Sequence, residues 1–169
     1  MIKKEILNYF KKNKLIFLIL LHLFFYFVFT FLNKNYQHYD SAGHINITIR
    51  ITEHLKNIIQ NNGESNFLNL LTESNYYPPL FYYIVSIFNL IFGYSVFINL
   101  FIVFVTFLLT LFFYYKLLII LGFSKEFSLI TTTIYSFLPL VSDQARLFHL
   151  ESPLSLLLVL SYIYLAKSK

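Results

Sequence analysis

The side chains best suited to chemistry are a few charged residues that stand beside long apolar runs. Asp40 follows the first apolar run by a few residues, and Asp143, Arg146 and Glu151 stand together between two later runs. A carboxylate held near a membrane surface can act as a general base, and a planar guanidinium matches the oxygens of a phosphate. The pattern therefore indicates chemistry on a lipid headgroup at the border of a membrane.

Each of these residues also has a structural interpretation, and the sequence leaves both open. Asp40 is in the right place to cap a helix that begins at Ser41, by accepting a hydrogen bond from its free N–H groups. Asp143 and Arg146 have helical spacing and could form a surface pair worth a few tenths of a kcal/mol. Ser152, followed by proline, is a plausible N-cap of the next helix.

The histidines and the lack of cysteine limit the chemistry further. Asp40 and His44 are one helical turn apart, but none of the histidines falls into a recognised metal-ligand spacing. The chain has no cysteine, so it has neither a thiolate ligand nor a cysteine nucleophile. We therefore predict no metal site and no cofactor, with a divalent metal left as an open alternative.

The composition points to a protein of the lipid bilayer. Hydrophobic residues make up 57% of the 169 residues and charged residues only 12%, against about 25% charged in ordinary soluble domains. So few charges argue against both a disordered chain and a water-soluble globule. The net charge of +5 comes from basic residues scattered along the chain rather than from one patch, so we predict no nucleic-acid partner.

The positions of the charges predict the topology. Residues 1–14 carry five lysines against one glutamate and should form a basic cytoplasmic tail, and residues 15–32 are uncharged and long enough for an uncleaved first crossing. Residues 33–94 would form an outer loop. Further crossings are expected over 95–116, 127–142 and 150–166.

An uncharged run of 42 residues, from Ser74 to Tyr115, leaves two topologies open. It could cross the membrane twice, with a turn near Gly93, or once, with a helix over 79–93 lying at the outer interface. The single crossing puts the four lysines after residue 115 inside with the N-terminus, as the positive-inside rule prefers. We therefore expect an all-α, multi-pass integral membrane protein with about four transmembrane helices and its N-terminus in the cytoplasm.

The sequence of the predicted outer loop is compatible with either a strand or a helix. Isoleucines at 45, 47, 49 and 51 alternate with polar residues, as in a strand, whereas Ile51, Leu55 and Ile58 recur at helical spacing. Asn62-Gly63 is a plausible helix stop. We favour an amphipathic helix over about 41–60.

Taken in order, several segments resemble the N-terminal portion of GT-C integral-membrane glycosyltransferases. The nearest likeness is to the protein-mannosyltransferase-like family, which includes the aminoarabinose and lipopolysaccharide-core sugar transferases. The matching segments are His38-Tyr39-Asp40-Ser41, Tyr77-Pro78-Pro79-Leu80-Phe81-Tyr82-Tyr83, Phe92-Gly93-Tyr94-Ser95, Gly122-Phe123-Ser124-Lys125 and Arg146-Leu147-Phe148-His149-Leu150-Glu151-Ser152-Pro153-Leu154.

This resemblance implies an activity and a set of site residues. The reaction would transfer a sugar from a polyprenyl-phosphate donor to an acceptor hydroxyl at the outer membrane face. Asp40 would be the general base, Arg146 would contact the lipid phosphate, and Glu151 would orient a substrate. The side chains expected to contact substrate are His44, Glu73, Tyr77, Tyr82 and Asp143.

The length of the chain and its departures from the family pattern keep two rival functions open. Whole enzymes of this class run to several hundred residues, and here Ser41 stands where many relatives have a second acid. We therefore expect the N-terminal module of such an enzyme, with a partner subunit or further sequence supplying the rest. A non-catalytic membrane scaffold is the first alternative. A transporter fragment is the second, although no charged residue falls in the middle of a predicted crossing.

Overall fold

The structure, a computed structural model, describes residues 13–32, 39–60, 72–73 and 79–168, with only the backbone of Tyr39 and Asp40. Within these residues the chain is all-helical, as expected, and contains no strand. The helices are α1 (Lys14–Leu32), α2 (Tyr39–Ile59), α3 (Leu80–Phe92), α4 (Val96–Ile120), α5 (Lys125–Phe137), α6 (Pro139–Gln144) and α7 (Glu151–Lys167).

Two of these helices are long and apolar enough to cross a membrane. With 19 and 25 residues, α1 and α4 extend for about 28 and 37 Å, against a hydrocarbon core of about 30 Å. The 13 residues of α3 reach only about 20 Å. By length and composition, α4 is therefore a candidate membrane span, whereas α3 is a shorter apolar helix.

The predicted crossing over 127–142 is not one continuous helix. It is divided between α5 and α6, because Leu138 adopts an extended conformation with φ −57° and ψ 129°. A residue before proline is driven out of the helical region by the proline ring, and Pro139 then begins the next helix. The last helix, α7, has the bounds expected for residues 150–166 to within a residue or two but is only 17 residues long.

Helices α1 and α4 pack against each other in opposite directions. The Tyr26 ring stacks on Phe104 with 4.1 Å between centroids, and one turn earlier in α1 the His22 ring meets Phe107 at 5.2 Å. A residue earlier in α1 thus contacts a residue later in α4, so the two helices are antiparallel. Together with Leu111 and Ala145, the rings of Tyr26, Phe104 and Phe107 form one of two buried cores.

The other core joins α2 and α3 to the first half of α4. Its members are Ile45, Ile47, Ile51, Phe81, Tyr82, Val85, Leu100, Val103 and Phe148. The helix predicted near 41–60 is confirmed, and burial shows why the helical pattern prevails over the alternating one. Ser41, His44, Thr48 and Ile51 are all buried at spacings of three and four residues, so they form one face of a helix.

A buried pair of amides fixes the turn between α3 and α4. Gly93 makes this turn with a φ of +82°, a conformation that favours glycine. On either side of it, the Asn89 side-chain N–H group donates to the Asn99 side-chain oxygen at 2.9 Å. Both asparagines are almost fully buried, so this hydrogen bond sets the register between two otherwise apolar helices.

Charged groups separate to the two ends of the α1–α4 pair. At one end, Lys14, Lys125 and Glu126 line a common surface pocket, and we call this the lysine end. At the other, the Arg146 guanidinium lies 5.0 Å from the centre of the Phe29 ring, and we call this the arginine end. Lys14 and Phe29 are about 22 Å apart along α1, so the two ends are separated by most of a bilayer core.

Candidate functional site

The start of α2 is fixed to the segment that precedes α7. The backbone N–H of Phe148 donates to the hydroxyl oxygen of Ser41 at 2.9 Å, and both groups are buried. This hydrogen bond joins residues 107 positions apart in the sequence. It places the backbone of Asp40 next to the segment that runs from Arg146 to Glu151.

A second contact fixes His44 one turn further along α2. Its Nδ1 lies 2.6 Å from the Tyr82 hydroxyl, and both side chains are buried. The Tyr82 ring is nearly parallel to that of Phe148, with 6.4 Å between centroids and 8° between planes. Two of the residues expected to contact substrate, His44 and Tyr82, therefore form one hydrogen-bonded pair packed on Phe148.

An apolar groove of about 500 Å³ opens beside this pair. It lies between α3, α4 and α7, with the start of α2 at its edge. The apolar lining consists of Leu80, Phe81, Ile84, Ile102, Leu150, Pro153, Leu154, Leu156 and Leu157, and the polar residues are His44, Thr106 and Glu151. We refer to this cavity as the apolar groove. Its size suits a ligand of many atoms, because small-molecule sites occupy about 300–1,000 Å³.

Two of the polar side chains that line the apolar groove, His44 and Glu151, lie near His149, and we call this side of the groove its polar end. A carboxylate oxygen of Glu151 lies 4.0 Å from Nδ1 of His149, and the rings of His149 and His44 meet edge-on at 6.4 Å. Glu151 is in the first turn of α7, where the free N–H groups of the helix favour a negative charge. Across the described ranges, no three His, Cys, Asp or Glu side chains could hold a metal ion.

Arg146 lies on the other side of this segment. Its guanidinium packs on Phe29 and lines a separate small cavity against α1, whereas Glu151 lines the apolar groove. The structure therefore does not bring these two predicted site residues into one cavity. Asp143 is exposed on α6, and among the described residues it forms no ion pair with Arg146. Their contact is a backbone hydrogen bond of 2.9 Å.

Glu73 belongs to a different cluster. One of its carboxylate oxygens lies 2.5 Å from the Arg50 side chain and the other 3.3 Å from Nε2 of His54. Arg50 and His54 follow His44 by about 9 and 15 Å along α2. Glu73 thus holds its segment to the second half of α2 rather than lining the apolar groove, and Tyr77 lies outside the described residues.

The two proposed helix caps are not where the sequence puts them. The structure begins α2 at Tyr39, so Asp40 is in the first turn of the helix and does not precede it. Likewise α7 begins at Glu151, with Leu150 at the cap position and Ser152 buried in the first turn. Phe148 and His149 also belong to this site but were not predicted to. Their only sequence signal is their position between Arg146 and Glu151.

Comparison with known proteins finds no matching protein-family model, no matching curated protein and no matching solved structure. The features of the chain that bear on its function are therefore its GT-C-like sequence segments and the apolar groove with its polar end.

Replacing Ser41 by Ala should loosen the junction between α2 and the segment before α7. The Phe148 N–H would stay buried without its acceptor, which costs about 1–3 kcal/mol. We expect exchange of that amide with solvent to accelerate by roughly 5- to 150-fold in hydrogen-exchange measurements, the factor that this free energy corresponds to. The matched control is Ser161→Ala, because the exposed Ser161 hydroxyl bonds only within α7. Unchanged exchange of Phe148 in Ser41→Ala would contradict the assignment.

Proposed function

We propose that this chain forms part of a membrane glycosyltransferase that moves a sugar from a polyprenyl-phosphate donor to an acceptor hydroxyl. The observation that carries the proposal is the apolar groove, which has a long apolar wall and a polar end formed by His44 and Glu151. A polyprenyl phosphate sugar has the same division, with an apolar chain and a polar headgroup. The chain would lie along α4 and α7, and the sugar would lie at the polar end.

In this proposal Asp40 is the general base. The backbone position of Asp40, beside Ser41 and one turn before His44, supports a place at the polar end of the apolar groove. Asp40 would take the proton from the acceptor hydroxyl, whose oxygen then attacks the anomeric carbon. The bond from that carbon to the phosphate oxygen breaks, and the lipid phosphate leaves with the electron pair.

The other predicted residues take supporting roles in the same proposal. Glu151 would orient a sugar hydroxyl from the polar end of the apolar groove. Tyr82 would act through His44, whose ring it holds. Arg146 would contact the departing phosphate, which requires its guanidinium to leave the Phe29 ring. Asp143, exposed on α6, would contact substrate from outside the groove.

We also propose a membrane arrangement for this enzyme. Four crossings, α1, α4, α5 with α6, and α7, would put the lysine end in the cytoplasm and the arginine end at the outer face. The grouping of Lys14 with Lys125 supports it, because lysines favour the cytoplasmic side. In this arrangement the apolar groove faces surrounding lipid, from which a polyprenyl chain can enter. A partner subunit or further sequence would complete the donor cavity.

A non-catalytic membrane scaffold is the second candidate. The observation that favours it is that two charged side chains expected to contact substrate or phosphate are engaged with other residues of this chain. Glu73 is engaged by Arg50 and His54, and the Arg146 guanidinium rests on Phe29. In a scaffold these contacts would hold the outer segments in place, and no glycan product would depend on Asp40.

Filling the apolar groove should prevent lipid binding. The side chains of Leu157 and Leu158 are equally exposed, at 52% and 53%, but only Leu157 lines the groove. We therefore expect Leu157→Trp to abolish labelling by a photoreactive polyprenyl phosphate in native membranes, because the indole would occupy the volume of the chain. Leu158→Trp is the matched control and should label like the parent. Equal labelling of the two variants would contradict the proposed binding site.

Replacing Asp40 by Asn tests the chemistry separately from lipid binding. An amide cannot accept the acceptor proton, and general-base catalysis is worth about 10²- to 10⁴-fold. We expect the glycan product in native membranes to fall by that factor at equal protein level, with lipid labelling retained. Glu53→Gln, an exposed acid on the same helix, should leave the product unchanged. Full product in Asp40→Asn would sink the catalytic assignment and favour the scaffold.

A further inference from the structure

A second, much smaller cavity lies between α1 and the segment that carries Arg146. Its polar lining residues are His22, Tyr26, Ser142 and Arg146, and aromatic rings of α1 and α4 close the rest. The cavity has a volume of about 10 Å³, roughly what one water molecule needs. It is far too small for a phosphate or a sugar, so it is not an extension of the apolar groove.

His22 directs a polar atom into this region. The side chain is 7% exposed, and its Nε2 has no hydrogen-bond partner among the described residues. The ring is held from two sides, by Phe107 at 5.2 Å and by Phe137 at 4.8 Å. His22 stands about 12 Å along α1 from Lys14, within a helix apolar enough to cross a membrane. A polar atom left without a partner at that depth is costly, because hydrocarbon offers it no hydrogen bond.

We propose that this cavity binds one water molecule that bridges His22, Ser142 and Arg146. The guanidinium has only donors, so it donates an N–H to the water oxygen. The water then has two hydrogens to give, one to Nε2 of His22 and one to the Ser142 oxygen. Ser142 can accept it, because its own hydroxyl hydrogen is directed to the Pro139 carbonyl at 3.1 Å. Both hydrogens of the water and the hydroxyl hydrogen of Ser142 then have acceptors.

The bridge has two consequences for the protein. It requires a neutral His22 with its hydrogen on Nδ1, since Nε2 must accept. It also ties the middle of α1 to the segment before α7, so that His22 and Ser142 are positioning residues for the Arg146 guanidinium beside Phe29. The bridge meets the proposed glycosyl transfer at Arg146, because it would hold the guanidinium beside Phe29 until that group moves to the phosphate. The water site itself involves no substrate, so it can be tested without any glycan product.

Solid-state NMR of the full chain in lipid bilayers tests the proposal directly. The ¹⁵N shifts of the His22 ring should report the tautomer with hydrogen on Nδ1, and water-edited spectra should show transfer from water to this ring. Leu18, buried one turn earlier in the same helix, provides the internal control and should receive none. A His22 ring protonated on Nε2, or a ring as dry as Leu18, would overturn the proposal in the parent protein itself.

A substitution of Ser142 then tests which side chains bind the water. Ser142→Ala removes one acceptor of the water, and we expect transfer from water to His22 to fall to the level of Leu18. Ser161→Ala is the matched control, because the Ser161 hydroxyl also bonds to a carbonyl of its own helix but lies outside this cavity. Undiminished transfer in Ser142→Ala would remove Ser142 from the site and contradict the bridge as stated.

Discussion

The arrangement of the candidate site depends on the hydrogen bond between the Phe148 backbone and the Ser41 hydroxyl. It joins the beginning of α2 to a segment more than a hundred residues later, at a point where both groups are shielded from water. Phe148 adds a fully buried ring on which Tyr82 packs, and Tyr82 holds His44. Without this junction α2 would be held mainly by its packing on α3, and Asp40 would have no fixed relation to Glu151.

The antiparallel pairing of α1 and α4 supplies the second constraint. It separates the lysine end from the arginine end by most of the thickness of a bilayer core. The apolar groove opens beside α4 and has His44 and Glu151 at its polar end. A ligand with an apolar chain and a polar head would fit this division better than a uniformly polar one. This match is the physical basis of the proposed lipid-linked substrate.

The fold was predictable where local pattern and burial agree. Helical spacing in residues 41–60 prevailed because one face of α2 meets a core, and the apolar runs gave α1 and α4 with bounds that differ by only a few residues. The break at Leu138 was not predicted. Its sequence signal is that Leu138 precedes a proline, but this signal is weak beside an uncharged run that continues on both sides. Both predicted N-caps were wrong, because α2 and α7 each begin two residues before the start that the cap residue predicts.

The site was predictable only in part. His44, Tyr82 and Glu151 come together at or beside the apolar groove, whereas Arg146 faces α1 and Glu73 is engaged on the far half of α2. Sequence spacing gives the segment on which a side chain lies, but the side of the segment it faces depends on packing between distant residues. Phe148 shows this most clearly, since its role arises from a contact with Ser41 that no local pattern encodes.

In the proposed membrane arrangement, the lysine end and the arginine end face opposite sides of the bilayer. The chain has no cysteine, so single cysteines can be introduced as Glu126→Cys at one end and Asp143→Cys at the other, both at exposed positions. In sealed right-side-out vesicles, a membrane-impermeant thiol reagent should label Asp143→Cys at once and Glu126→Cys only after the vesicles are opened. Labelling of both positions from the same side would contradict this arrangement.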